Sequence, residues 1–167
     1  RRGAELVRLN MRTRGAIAAL TVVEQPAFDE PLGPEQVELR IYAVGLNFRD
    51  VLNVLGEYPG DPGPPGGDCA GVVAAATVMR LDFAAFGFAF GSLASLARGV
   101  ARLLVPLPRT LSFEQACSLP ITWSTTHVAF AAAHCTTRHA VLVHAAAGGV
   151  GLAAAEYIAW LGALTHG

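Results

Sequence analysis

Apolar and polar positions alternate along residues 37–43, where Val37, Leu39, Ile41 and Ala43 are separated by Glu38, Arg40 and Tyr42. A two-residue period of this kind predicts a strand buried on one face, and Gly45 ends it. Residues 6–9 and 16–23 read as further strands, and Pro26, Pro31, Gly33 and Pro34 mark the loop that follows them. The opening of the chain is therefore β-rich.

The period then changes. Phe48, Val51, Leu52 and Leu55 fall on one face of a short helix, with Asn47 placed to cap it and Gly56 to stop it. Residues 57–67 hold too much proline and glycine for helix or strand and predict a rigid, meandering loop with Tyr58 beside it. A tyrosine there either packs or presents its hydroxyl to a pocket as a proton donor. Residues 69–74 return to an apolar strand, 75–98 fit neither period, and 102–105 form a strand stopped by Pro106 and Pro108. Ser112 with Gln115 three positions on makes a capping box for a helix to about residue 118; Pro120 interrupts it, and a second helical stretch runs over 121–133.

The last part of the chain joins three signals. Val141, Leu142 and Val143 have the β-branched, apolar character of a buried strand. Val150, Ala154, Ile158 and Leu161 recur at helical spacing until Gly162, and residues 144–151 between them are Ala- and Gly-rich. The start of a helix leaves N–H groups unpaired and carries partial positive charge, so a pyrophosphate can sit there if no side chains block it. Gly148, Gly149 and Gly151 meet that need, with Ala146 in the place of the first glycine of G-x-G-x-x-G. A plain Ala/Gly loop is the competing reading of this stretch alone. The ribose-reading residue that would support the motif falls roughly 20 positions on, past Gly167.

Composition narrows the function. Hydrophobic residues make up 53% of the 167, enough for a real core, and 12 basic against 13 acidic residues argue against nucleic acid or an anionic membrane as partner. Arginines crowd positions 1, 2, 8, 12 and 14, as a solvated edge or linker would have them. Every basic residue is arginine, so Schiff-base chemistry is excluded within the chain. The longest uncharged run, 115–137, contains Pro120, Thr and Ser, which argues against a membrane span, and no signal-peptide pattern opens the chain. Cys69, Cys117 and Cys135 are widely spaced in apolar surroundings, as buried thiols of a reducing, cytoplasmic compartment would be. The five histidines show no metal-ligand spacing, and no metal site is expected.

Four blocks together resemble the medium-chain dehydrogenase/reductase superfamily, and within it the enoyl reductase domains of modular polyketide and fatty acid synthases: GLNFRDVLNVLGEYPG at 45–60, PGGDCAGVV at 65–73, LSFEQACSLP at 111–120 and VLVHAAAGGVGLAAAEY at 141–157. The resemblance implies a mixed α/β fold: a GroES-like β-barrel catalytic domain over 1–110, then linker helices and the incomplete start of a Rossmann NADPH-binding domain over 111–167. It implies that Asn47 and Thr125 lie near the cofactor, that Ala146, Ala147, Gly148, Gly149, Val150 and Gly151 line its pyrophosphate, and that Tyr58 is the tyrosine near the reacting carbons. Zinc-dependent relatives carry Cys where this chain has Asn47 and G-H-E where it has Gly66, Gly67 and Asp68. Without a Lewis acid, alcohol oxidation is disfavoured and conjugate reduction fits better.

The implied activity is NADPH-dependent reduction of an α,β-unsaturated acyl thioester on an acyl carrier protein, with neighbouring synthase domains as partners. The stretch between Val73 and Phe86 is shorter than the family's, which points to a missing part of the barrel, and Thr126, His127 and Val128 stand where the family carries aromatic residues. The family's proton-donor lysine and aspartate would lie past Gly167, so the chain alone is expected to bind NADPH poorly and to lack activity. The alternatives are a free-standing zinc-independent quinone or alkenal reductase and a degenerate fragment with a structural or docking role.

Overall fold

The computed structural model describes residues 5–77 and 82–166. Arg1 and Arg2 of the N-terminal arginine group, and part of the stretch between Val73 and Phe86, lie outside the described residues. The chain divides into two compact units, Arg1–Leu119 and Pro120–Gly167.

The first unit opens with a two-stranded antiparallel sheet of β1 (Val7–Met11) and β2 (Leu20–Glu24), joined through a 3-10 turn at Ile17–Ala19. Four further strands, β3 (Gln36–Gly45), β4 (Asp68–Ala76), β5 (Ala84–Phe90) and β6 (Leu96–Pro106), close an antiparallel barrel in the order β3-β4-β5-β6. Val37 and Leu39 are fully buried, as their alternation predicts, and pack with Cys69, Val73, Ala85, Ala89, Ala97 and Leu104.

The stretch that fits neither period turns out to alternate after all. In β5 the small residues Ala85, Gly87 and Ala89 point inward, while Phe86 and Phe88 are half-buried and Phe90 is exposed. A barrel of four strands has little interior volume, so the small side chains go inside and the large ones outside, opposite to the usual hydrophobic signal. Gly87 shows how tight the interior is: its φ is 151°, and a Cβ there would overlap the Leu103 carbonyl.

A short helix, α1 (Phe48–Leu55), follows β3, and α2 (Phe113–Ala116) follows the barrel with the predicted Ser112–Gln115 capping box. Ala116 and Cys117 pack on Ala70 of β4, and Phe113 stacks on Tyr42 at 4.9 Å between ring centroids.

The second unit contains α3 (Pro120–Ala132), β7 (Ala140–Leu142), α4 (Gly149–Leu161) and β8 (Leu164–His166). Two features differ from expectation. Pro120 begins a helix instead of breaking one, since the first helical position needs no N–H. After Gly162 the chain forms a further strand, β8, paired parallel with β7 in the register Ala140 to Leu164. At three residues, β8 is too short to show a period. Among the described residues no helix is long and apolar enough to cross a membrane.

Candidate functional site

Helix α1 carries the first part of the site, and it is inverted. Amphipathic helices ordinarily bury their apolar face. Here Phe48, Val51 and Leu55 are exposed, whereas Asp50 is 4% exposed and Asn53 fully buried. The polar face is buried because it ties down the Pro/Gly loop. Asp50 Oδ1 accepts the Gly66 N–H at 2.8 Å, Asp50 Oδ2 accepts the Asn47 N–H at 2.9 Å, and Asn53 Nδ2 donates to the Gly63 carbonyl at 3.0 Å. Arg49, between them, donates to the Pro62 carbonyl and lies 3.9 Å from Asp50 Oδ1.

Asn47 is thus the N-cap of α1, with extended backbone and half-buried. Tyr58 follows the other end of the helix, its N–H bonded to the Leu52 carbonyl at 3.2 Å. Eight helical residues separate the two by about 12 Å along the axis. The Arg49 guanidinium lies over the Tyr58 ring, 5.8 Å from its centroid. The exposed apolar face of α1, with Leu9, Ile17, Leu20, Leu46 and Leu93, borders an open cavity of about 350 Å³ whose walls are almost entirely carbon.

The glycine turn is the second part. Gly148 caps α4 with no side-chain hydrogen bond, and the first intrahelical bond runs from the Leu152 N–H to the Gly148 carbonyl at 2.9 Å. The N–H groups of the first turn therefore have no intrahelical acceptor. Ala147, Gly148, Gly149 and Val150 are exposed and Ala146 is half-buried. Gly151 is buried, and a Cβ there would overlap the Ala145 carbonyl. The close approach of turn to helix needs glycine at 151, while a Cβ at 148 would press on the Ala145 carbonyl and one at 149 on the Thr122 methyl of α3, each at 3.3 Å. An exposed helix start with free N–H groups fits the pyrophosphate of a dinucleotide.

Thr125 is exposed on α3, and its neighbour Thr126 is buried and donates to the Thr122 carbonyl at 2.8 Å. The expected site residues fall on both units: Asn47 and Tyr58 on the first, Thr125 and residues 146–151 on the second. Sequence reasoning missed Arg49, Asp50 and Asn53, although Asp50 and Asn53 at i and i+3 opposite the apolar face carried the signal. It also missed the hydrogen bond between His127 Nδ1 and the Tyr157 hydroxyl at 2.8 Å, within a ring cluster of Trp123, Phe130 and Trp160. Burial pushes the Cys69 thiol up to about 12, with Asp68 and Cys117 adding to the effect, and burial also raises Cys117, so both are poor nucleophiles. Cys135 is only half-buried. Among the described residues no cluster of three or more His, Cys, Asp or Glu could hold a metal ion.

Comparison with known proteins places these features in a class. No family model matches the chain. The pikromycin polyketide synthase component PikAII of Streptomyces venezuelae is 38% identical over 170 residues, covering 97% of this chain and 4% of that protein. The mycoketide-CoA synthase of Mycobacterium tuberculosis is 34% identical over 93% of this chain and 4% of its own length. Among solved structures, the CurK enoyl reductase matches with a TM-score of 0.87 and 30% identity, over 96% of this chain and 53% of that one. A quinone oxidoreductase of Pseudomonas syringae pv. Tomato matches at 0.81 and 30%, over 96% and 51%. A mycobacterial protein solved in complex with NADPH, Rv1454c, matches at 0.82 and 25%, over 96% and 52%.

These structural matches extend over both units of the chain. The chain belongs to the medium-chain dehydrogenase/reductase superfamily; its sequence relatives are polyketide synthases and its structural neighbours include enoyl reductases. It spans about half the length of the solved reductases and a few per cent of the synthases.

Proposed function

We propose that the chain is part of an enoyl reductase that reduces an α,β-unsaturated acyl thioester carried on an acyl carrier protein, within a multidomain polyketide synthase. The observation that carries this reading is the exposed helix start at Gly148 and Gly149, packed through the buried Gly151, in a chain whose relatives are polyketide synthases. The parallel β7-α4-β8 unit is read as the opening of a Rossmann domain. When bound, NADPH supplies the hydride that the β-carbon of the substrate accepts. The NADPH-bound mycobacterial neighbour supports that choice of nicotinamide.

In this reading the N–H groups at the start of α4 hold the pyrophosphate, while Asn47 and Thr125 line the cofactor. As negative charge moves onto the thioester carbonyl, the Tyr58 hydroxyl gives a proton to the α-carbon, which completes the saturated product. A half-buried tyrosine whose ring lies under the Arg49 guanidinium, and whose hydroxyl makes no hydrogen bond among the described residues, suits that task. The similarity to the quinone oxidoreductase of Pseudomonas syringae supports a second reading, quinone reduction by the same nicotinamide site.

Both are tested by assaying the parent reductase with NADPH against a crotonyl thioester and against a quinone. Turnover of the thioester is expected; turnover of the quinone alone reverses the assignment. Tyr58→Phe is expected to slow thioester reduction at least about tenfold, in line with the contribution of a positioned general acid. The 167-residue chain by itself is expected to leave NADPH unoxidised.

A further inference from the structure

The sequence N-F-R-D places an arginine and a buried aspartate immediately after Asn47, and the proposed mechanism uses neither. Their geometry singles them out. Arg49 is held at three points: its guanidinium lies over the Tyr58 ring at 5.8 Å, it donates to the Pro62 carbonyl, and it pairs with Asp50 at 3.9 Å. Asp50 is itself fixed by the backbone N–H groups of Asn47 and Gly66, at 2.9 and 2.8 Å. A guanidinium over an aromatic face is attracted by the ring quadrupole, and its planar fork donates to a carbonyl while still covering the ring. A lysine ammonium is a point charge and cannot do both.

Tyr58 needs such a support. It sits beyond the end of α1, in coil, where its backbone bond to Leu52 leaves the ring torsions free. Its hydroxyl makes no hydrogen bond to another described residue, so the protein holds the ring and leaves the oxygen open. The chain Asn47 N–H, Asp50 carboxylate, Arg49 guanidinium, Tyr58 ring runs through buried and half-buried groups along one side of α1.

We propose that Arg49 is a positioning residue: seated by Asp50 and Pro62, it sets the orientation of the Tyr58 ring and with it the face of the α-carbon that is protonated. The proposal rests on the reading of Tyr58 as proton donor, and the test separates the two.

In the parent reductase acting on a 2-methylcrotonyl thioester, Arg49→Lys is expected to lower kcat roughly 10- to 100-fold, the scale of a misplaced catalytic group. KM for the thioester stays within about twofold, and the configuration at the α-carbon becomes mixed. In a Tyr58→Phe background the same change is expected to add no further loss, because the residue it positions is gone. An equal loss in both backgrounds overturns the proposal.

A second readout does not depend on turnover. With 3-fluorotyrosine incorporated, the fluorine resonance assigned by Tyr58→Phe is expected to move in Arg49→Lys while those of Tyr42 and Tyr157 stay. If Tyr58→Phe keeps full rate and configuration, the proton-donor reading fails; the fluorine resonance then decides the positioning claim, and an unmoved resonance overturns it. Should Arg49→Lys not fold, Arg49→Gln, which keeps a donor for Pro62 without the cation, is read by the same criteria.

Discussion

The barrel and the glycine-turn unit satisfy their backbones in opposite ways. In the barrel each of β3 to β6 has two hydrogen-bonded neighbours, so no edge is left, and Val37, Leu39 and Val73 are fully buried. In the second unit β7 and β8 pair with each other, and Leu142 (65%), Leu152 (57%) and Trp160 (74%) stand in solvent. A closed antiparallel sheet buries its own interior, whereas a parallel pair needs neighbouring strands and helices on both faces. The barrel therefore encodes a core complete in itself, while the exposed apolar residues of the second unit, like the apolar face of α1, are surfaces that call for further cover.

Two truncations of the same residue type test that contrast most strongly. Leu39→Ala removes a fully buried side chain from the barrel and is expected to cost about 2–5 kcal/mol. Leu152→Ala removes one that is 57% exposed on α4 and is expected to change stability by less than about 0.5 kcal/mol. Denaturant unfolding separates the units, because both tryptophans, Trp123 and Trp160, lie in the second and tyrosines 42 and 58 in the first. Comparable losses in the two variants would break the comparison.

The same contrast explains what the sequence made legible. The alternation in β3, the cap at Asn47, the capping box at Ser112 and the strand, turn and helix around residue 148 all rest on local signals, and the structure contains each of them. β5 was hidden because its buried positions are Ala and Gly, chosen by the narrow barrel rather than by hydrophobicity. Helix α1 was legible as a helix, but its buried face was not, since the partners of Asp50 and Asn53 lie in a loop 10 to 16 residues away. Of the candidate site, the glycine turn and Tyr58 are the parts that residue type alone proposes. It does not propose Arg49, because what marks that residue is a ring and a carbonyl brought beside it by folding.

Thiol chemistry sharpens the comparison at a smaller scale. Cys69 is fully buried in the barrel and pushed up to about 12, so near pH 8 only about one thiol in ten thousand is ionised. Cys135 in the second unit is half-buried. Iodoacetamide labelling of the native chain followed by peptide mapping is expected to modify Cys135 at least about 100-fold faster than Cys69. Equal rates would mean that the barrel opens as readily as the second unit.

The smallest effect concerns whether surface pairs add to the barrel's advantage. Asp61 accepts the Gly63 N–H at 3.0 Å and the Arg14 guanidinium at 2.9 Å, and these bonds, Gly63 first, hold its carboxyl below the ordinary value of 3.8. A carboxyl depressed in the folded state favours folding only when ionised. Its contribution is therefore present above the ordinary value and fades as pH falls through the depressed one. Because Asp61 is fully exposed, solvent screens the pair and the contribution is small. Asp61→Asn is expected to shift the urea midpoint slightly downward near pH 7, and the shift is expected to shrink as pH falls through the depressed value. A shift as large as that of Leu39→Ala would place the first unit's stability in its loops rather than in its core. A small shift that shrinks in acid leaves burial as the property that separates the two units.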